Sequence, residues 1–187
     1  DYLSDPSKRI AIAHPSNPVV ADADTADAIL LYHEGTTHLV KPSQVSLTPV
    51  QSIDPFRRLF KLDWTPDRAT QISDRADLWD QAFDRAALFA AAQGLGLAQR
   101  AVDLAVEYAK ERQQFGKPIG TYQAVKHHLA SAQTKIEFAR PVLHAAAASL
   151  GNHDLYSRAR ISQAKLACLE AADYASRASL QVHGAMG

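Results

Sequence analysis

The sequence predicts an α+β fold that is mainly α. An incomplete antiparallel β domain over residues 1–70 is followed by a long up-down helical bundle domain over residues 71–187. Short segments rich in Ile, Val, Leu, Phe and Tyr alternate with turn residues in the first part, which also holds most of the nine prolines. From Ser73 onward alanine, leucine, glutamine and arginine dominate, in segments of about 30 residues.

The predicted β segments of the first part are short and separated by turn signals such as PSNP at 15–18, EGTT at 34–37 and SIDPF at 52–56. Each is rich in residues that favour strands. They cover residues 10–14, 28–34, 37–42, 45–50 and 57–64. We interpret them as part of an antiparallel sheet or a small barrel.

Three long helices are predicted after this part, over residues 73–112, 121–150 and 154–184. Ser73, Thr121 and Asp154 are expected to cap their first turns, and Gly151 suits a left-handed C-terminal position. Short connections between long helices indicate an up-down bundle. Three helices leave a groove, so we expect a missing fourth helix or a partner subunit to fill it.

Composition and charge exclude several classes of protein. Twenty basic and twenty acidic residues cancel, which gives no electrostatic reason to expect a nucleic-acid partner. No apolar run is long enough to cross a bilayer. The single cysteine, Cys168, fits a reducing compartment. The first residue is Asp1 rather than Met, so we expect a processed or truncated piece.

Three other features favour packing over chemistry. Gly94 and Gly96 lack the third glycine of a dinucleotide fingerprint and lie in a helical pattern, which predicts close helix packing. His127 and His128 are adjacent, so on a helix they point about 100° apart, and no zinc spacing or Glu-x-x-His pair accompanies them. No metal site is predicted. Cys168 lies on an apolar helical face and is interpreted as a buried structural thiol.

One stretch, ERQQFGKPIGTYQ at 111–123, interrupts the helical pattern. Gly116 and Pro118 prevent the first helix from continuing. Arg112, beside free backbone N–H groups and the Gln114 side chain, could bind a phosphate or pyrophosphate. Phe115 could cover an aromatic ring or fill the core. From the residues alone, a binding loop and a simple helix boundary both remain open.

At this stretch the chain resembles the flavin-dependent acyl-CoA dehydrogenase family. Residues 108–130, YAKERQQFGKPIGTYQAVKHHLA, are similar to the region that joins two helices of the family's C-terminal domain. Residues 83–109 resemble the helix before it, and LQVHGAMG at 180–187 resembles the Gln-x-x-Gly-x-x-Gly turn that closes the third helix. VVADADTADAILL at 19–31 looks like the late β domain. The resemblance covers residues 9–187 in the right order.

The resemblance implies an FAD-dependent oxidoreductase that introduces an α,β double bond into an acyl-CoA thioester. A glutamate removes the Cα proton while the flavin N5 accepts a hydride from Cβ. It also implies a homo- or hetero-oligomer, a dimer of dimers with FAD across an interface, and an electron-transfer flavoprotein as acceptor. The expected location is the cytoplasm in a bacterium, or the mitochondrial matrix in a eukaryote.

The resemblance also implies roles for particular residues. Arg112 and Gln114 would contact the pyrophosphate or ribose of FAD, and Phe115 the adenine end. Asp84 matches a position that contacts acyl-CoA. The remaining cofactor positions are expected in the same site, the last five of them approaching the same dinucleotide from another subunit: Tyr122, Gln123, Gln181, Val182, His183, Gly184 and Ala185.

The chain departs from the family pattern at the catalytic positions. Ala87 stands where members carry an arginine that helps hold substrate, and Ala86 stands where a subset carries the catalytic glutamate. Most others place that glutamate beyond the Gln-x-x-Gly turn, and the sequence ends at Gly187. We therefore assign no catalytic residue and expect the chain to be inactive by itself. Three hypotheses remain: a piece of a complete enzyme, a non-catalytic subunit of a heteromeric enzyme acting for example on sterol side-chain CoA esters, or a helical interaction module without enzyme activity.

Overall fold

A computed structural model describes residues 5–152 and 154–187 of the chain. The chain divides into two compact units, the first ending at Asp80 and the second running from Gln81 to Gly187. The fold class is confirmed: the first unit is built mainly from short strands, and the second from three long helices. No helix in the described ranges is both long enough and apolar enough to span a membrane.

The first unit contains two sheets. Their strands are β1 (Ile10–Ala13), β2 (Val20–Ala21), β3 (Ala28–His33), β4 (Thr36–Val40), β5 (Ser46–Val50), β6 (Leu59–Asp63) and β7 (Gln71–Ser73). One sheet has the order β1-β3-β4-β7 and the other the order β2-β6-β5. Small and branched apolar residues form the core of this unit: Ala11, Ala13, Val20, Ala23, Ile29, Leu31 and Val40.

The predicted antiparallel pairing is correct for these strands except β1 and β3, which pair in parallel with Ile10 opposite Ala28. The segment between them carries β2, which pairs with β6 in the other sheet. The chain therefore leaves the first sheet and returns in the same direction, which a tight hairpin does not permit.

The helices are α1 (Asp77–Glu111), α2 (Gln123–Ser149) and α3 (Leu155–His183). The predicted cap of α3 is confirmed, because the Asp154 carboxylate accepts the Ser157 N–H at 2.6 Å. The predicted cap at Ser73 is wrong: Ser73 ends β7, and its hydroxyl accepts the N–H of Arg75.

The caps predicted at Thr121 and Gly151 are also wrong. The Thr121 hydroxyl donates to the Pro118 carbonyl inside a single 3₁₀ turn, and Tyr122 takes the cap position of α2 without a side-chain bond. Gly151 lies in another 3₁₀ turn after α2 and does not have a positive φ. Both helix ends tighten into 3₁₀ geometry, which satisfies terminal backbone groups without the predicted side chains.

The helices run up, down and up. Alanines dominate their core: Ala91, Leu95, Ala98, Val102, Ala132, Ile136, Ala139, Cys168, Ala171, Ala175 and Ala178. A Cβ added at Gly94 would lie 2.8 Å from Leu169 Cδ2, which confirms the predicted close helix packing there. A Cβ at Gly96 would meet nothing within 4 Å. The small side chains bring the helices close, and they bring the end of α1, the start of α2 and the end of α3 to one end of the unit.

Candidate functional site

The interruption between α1 and α2 is a β-hairpin. Strands β8 (Gln113–Gln114) and β9 (Lys117–Pro118) pair antiparallel, and Gln114 lies opposite Lys117. The two residues between them, Phe115 and Gly116, have φ of 55° and 80°. Positive φ at both central residues is the signature of the type I′ turn, whose twist matches that of paired strands. The predicted end of the first helix is therefore confirmed, and the segment after it is ordered.

One backbone hydrogen bond and two contacts of the Tyr122 side chain hold the hairpin in place. The N–H of Ile119 donates to the Arg112 carbonyl at 2.8 Å. The Tyr122 hydroxyl donates to the Gln114 carbonyl at 3.1 Å, and the Lys117 ammonium lies 4.4 Å from the centre of the Tyr122 ring. Tyr122 thus fixes the hairpin against the start of α2.

The end of α3 lies against this hairpin. Val182 is buried together with Ala105 and Ala109 of α1. Partly buried residues from α1, the hairpin connection and α2 pack on this group: Tyr108, Ile119, Val125 and Leu129. Gly184 ends α3 with a φ of 63°, a conformation that favours glycine. The fold therefore brings residues 112–123 and 181–185 together, although about 60 residues separate them in sequence.

His183 occupies a defined place in this end of the unit. Its ring stacks on Tyr108, with 4.5 Å between centroids and 26° between planes. Its Nδ1 lies 2.8 Å from the Ser179 carbonyl oxygen. Tyr108 was not predicted as a site residue, because its contact is with α3 and no local pattern on α1 indicates it.

The predicted cofactor residues differ in how accessible they are. Val182 is buried, so its side chain serves packing. Tyr122 and His183 are half-buried. The others are exposed: Arg112, Gln114, Phe115, Gln123, Gln181, Gly184 and Ala185. Phe115 is 92% exposed, so of its two predicted roles the structure rules out filling the core of this chain.

The charge at the hairpin suits an anion. Residues 112–123 carry two cations, Arg112 and Lys117, and no acidic residue. Exposed amides at Gln114, Gln123 and Gln181 add hydrogen-bond donors and acceptors. A guanidinium, an ammonium, amides and an exposed aromatic ring fit a phosphate-bearing ligand with an aromatic base.

Asp84 lies far from this hairpin. Its carboxylate pairs with Arg158 Nε of α3 at 3.5 Å, and its side chain is only 14% exposed. Twenty-eight positions separate Asp84 from Arg112, the residue after the end of α1, which is about 42 Å at the rise of an α-helix. The two predicted sites therefore lie at opposite ends of the helical unit.

The remaining residues singled out in the sequence are a cysteine, two adjacent histidines and an alanine. Cys168 is fully buried, and burial raises the pKa of its thiol, which disfavours the reactive thiolate. His127 and His128 are exposed, and the described residues contain no cluster of three or more His, Cys, Asp or Glu that could hold a metal ion. Ala87 lines an open groove together with Leu166 and Leu169 of α3.

The helical unit with its hairpin and closing turn defines a class of protein. The family model for the acyl-CoA dehydrogenase C-terminal domain matches residues 77–187. The chain therefore belongs to the acyl-CoA dehydrogenase family, as the resemblance predicted.

A curated member of the family is similar to most of this chain. The chain is 34% identical over 165 residues to the acyl-CoA dehydrogenase IpdE2 of Mycobacterium tuberculosis, which covers 88% of this chain and 48% of that protein. It therefore spans about half the length of that curated relative.

Solved structures of low sequence identity share the fold. PigA with FAD and proline matches with a TM-score of 0.74 and 21% identity, over 95% of this chain and 53% of that one. The ChsE4-ChsE5 complex from Mycobacterium tuberculosis matches with a TM-score of 0.72 and 22% identity, over 97% and 53%. At this level of identity the likeness concerns the fold alone.

Proposed function

We propose that the chain is part of an FAD-dependent acyl-CoA dehydrogenase that introduces an α,β double bond into an acyl-CoA thioester. One observation carries the proposal: the hairpin connection and the end of α3, to whose residues the resemblance assigns FAD contacts, pack at one end of the helical unit through Ile119 and Val182. Membership of the family supports the reaction class. When FAD is bound, its flavin ring is the two-electron acceptor.

The residues of this end have separate roles in holding FAD. Arg112 binds the pyrophosphate or a ribose oxygen through charge-assisted hydrogen bonds, assisted by Gln114. Phe115 lies against the adenine end. Its positive φ supports a role outside the fold, because an exposed aromatic residue in a strained conformation contributes little to folding. Tyr122 holds the hairpin, and Gln123 and Gln181 contribute amides.

The distance between the two ends supports an oligomer. Asp84, the proposed acyl-CoA contact, is about 42 Å along the direction of α1 from Arg112, which directly follows the helix. This separation is long enough for Arg112 and Asp84 of one chain to serve different active sites. We therefore propose that each chain serves two active sites, with FAD across an interface in a dimer of dimers. An electron-transfer flavoprotein reoxidises the complete enzyme.

A second candidate is a non-catalytic subunit of a heteromeric acyl-CoA dehydrogenase, acting for example on sterol side-chain CoA esters. Ala86 and Ala87 favour it, because Ala86 cannot act as a base and Ala87 cannot bind substrate through a charged side chain. The similar fold within the ChsE4-ChsE5 complex is compatible with it. Native mass spectrometry of the assembly from its source separates the two candidates: a second, different subunit supports the heteromer, and a single species excludes it.

The flavin site is tested by replacing Arg112. In the complete protein, Arg112→Ala should weaken FAD binding by about 1.5–3 kcal/mol, the scale of a hydrogen bond to a charged group. Arg100→Ala is the matched control, since Arg100 is exposed on α1 and pairs only loosely with Glu107 at 4.0 Å. Titration of the apoprotein with FAD, followed by flavin fluorescence, measures both. Equal affinities of the Arg112 variant and the wild type would refute the assignment.

A further inference from the structure

The protonation of His183 is determined by its surroundings. Its Nδ1 lies 2.8 Å from the carbonyl oxygen of Ser179. A carbonyl oxygen only accepts hydrogen bonds, so Nδ1 must carry the hydrogen. In the neutral ring the other nitrogen, Nε2, then holds a lone pair and accepts. Within the described ranges, Nε2 makes no hydrogen bond.

A second contact fixes where this nitrogen lies. The ring of Tyr108 stacks on the imidazole at 4.5 Å and 26°, so the imidazole is held on one face as well as at Nδ1. Tyr108 lies one helical turn before Arg112, whose backbone N–H donates to the Tyr108 carbonyl at 2.8 Å. It belongs to the apolar cluster around Val182. The Tyr108 side chain therefore lies against the end of α3.

We infer that His183 Nε2 accepts a hydrogen bond from a hydroxyl or amino group of the bound dinucleotide, and that Tyr108 is the positioning residue that holds the imidazole for it. The inference rests on the proposed flavin site and specifies its chemistry. Phosphate oxygens offer only acceptors at neutral pH, so they match Arg112 and not a neutral His183. Sugar hydroxyls and the adenine amino group are donors, so they match Nε2.

The tautomer is tested without any ligand. ¹⁵N NMR of the complete protein labelled at histidine, with His183→Gln to assign the signal, distinguishes a protonated Nδ1 from a protonated Nε2. We expect the neutral His183 ring to carry its hydrogen on Nδ1. Tyr108→Phe keeps the aromatic ring against the imidazole, so the ¹⁵N chemical shifts of His183 should not change. Tyr108→Leu removes that ring, so these chemical shifts should change. A hydrogen on Nε2 in the wild type would overturn the inference whatever the flavin affinity.

The contact is tested by a pair of His183 variants. His183→Leu removes the acceptor and should lower FAD affinity about tenfold, the effect of one hydrogen bond. His183→Gln places an amide oxygen near the position of Nε2 and should restore most of the affinity. Thermal melts of each variant establish that it is folded. Affinity of His183→Leu equal to that of the wild type would overturn the inference and leave the flavin site standing.

Two fragments of the cofactor identify the donor. If the donor is on the adenosine half, His183→Leu weakens ADP binding and leaves FMN binding unchanged; if it is a ribityl hydroxyl, the pattern reverses. Either pattern supports the inference, and an equal lack of effect on FAD, ADP and FMN overturns it. Absence of FAD binding by the wild-type complete protein is a different result, because it refutes the proposed function itself.

Discussion

The tip of the hairpin places a phenylalanine in a backbone conformation that favours glycine or asparagine. Phe115 has a φ of 55° and a side chain that is 92% exposed. A left-handed conformation costs an ordinary residue about 1–2 kcal/mol, and asparagine tolerates it better. Almost no apolar burial is lost on replacement. Phe115→Asn, which creates the preferred Asn-Gly turn, should therefore raise the free energy of unfolding by about 0.5–1 kcal/mol.

The same replacement removes the aromatic ring proposed to lie against adenine. Stacking of a base on an aromatic side chain is worth about 1–3 kcal/mol, so FAD affinity should fall by that amount. Stability and affinity then change in opposite directions, which a residue that only shapes the turn would not produce. Urea denaturation of the apoprotein measures the first quantity, and titration of the complete protein with FAD measures the second.

A second type I′ turn, between β3 and β4, provides the control. Glu34 and Gly35 connect β3 and β4 with φ of 45° and 84°, and the Glu34 side chain is 86% exposed. Glu34→Asn should give a similar gain in stability with no effect on FAD. A loss of stability in Phe115→Asn would show that the ring supports the fold. An unchanged FAD affinity would show that it does not contact the cofactor.

Three further predictions concern the helical unit. Ile136→Ala should lower the free energy of unfolding by about 2–5 kcal/mol in chemical denaturation, since Ile136 is fully buried. Gly96→Ala should raise it by about 0.5–1 kcal/mol, because open space surrounds the new Cβ; in Gly94→Ala the same helix gain is offset by displacement of Leu169. Cys168 should resist a thiol reagent at pH 8 in the native protein and react after denaturation, because burial raises its pKa and the thiol stays protonated.

Local signals allowed the helices and one cap to be predicted from the sequence. Asp154 precedes a helical segment and its carboxylate reaches the N–H of Ser157 three residues later, a contact that depends only on neighbouring residues. The end of α1 followed from Gly116 and Pro118. The resemblance of residues 108–130 and 180–187 to one family supplied the candidate site, which physical reasoning about Arg112 alone left open.

Contacts between distant residues were not predictable in this way. Strands of two residues, such as β8 and β9, are too short to show a period, and Phe-Gly lacks the Asn-Gly or Asp-Gly signal of a type I′ turn. The parallel pairing of β1 with β3 depends on where β2 pairs. Tyr108 and His183 lie on different helices, 75 positions apart in sequence. Their stacking depends on how the helices pack, which the sequence does not show.

The length of α1 has a consequence for mixed assemblies. Because Asp84 lies in the first turns of α1 and Arg112 directly follows its last residue, a defect at each position damages a different active site of the proposed oligomer. Consider a dimer of one chain altered at Asp84 and one chain altered at Arg112. One of its active sites would contain both altered residues, and the other would contain neither. Two impaired variants would then complement each other, and a dimer of one of each would regain up to half of the wild-type turnover.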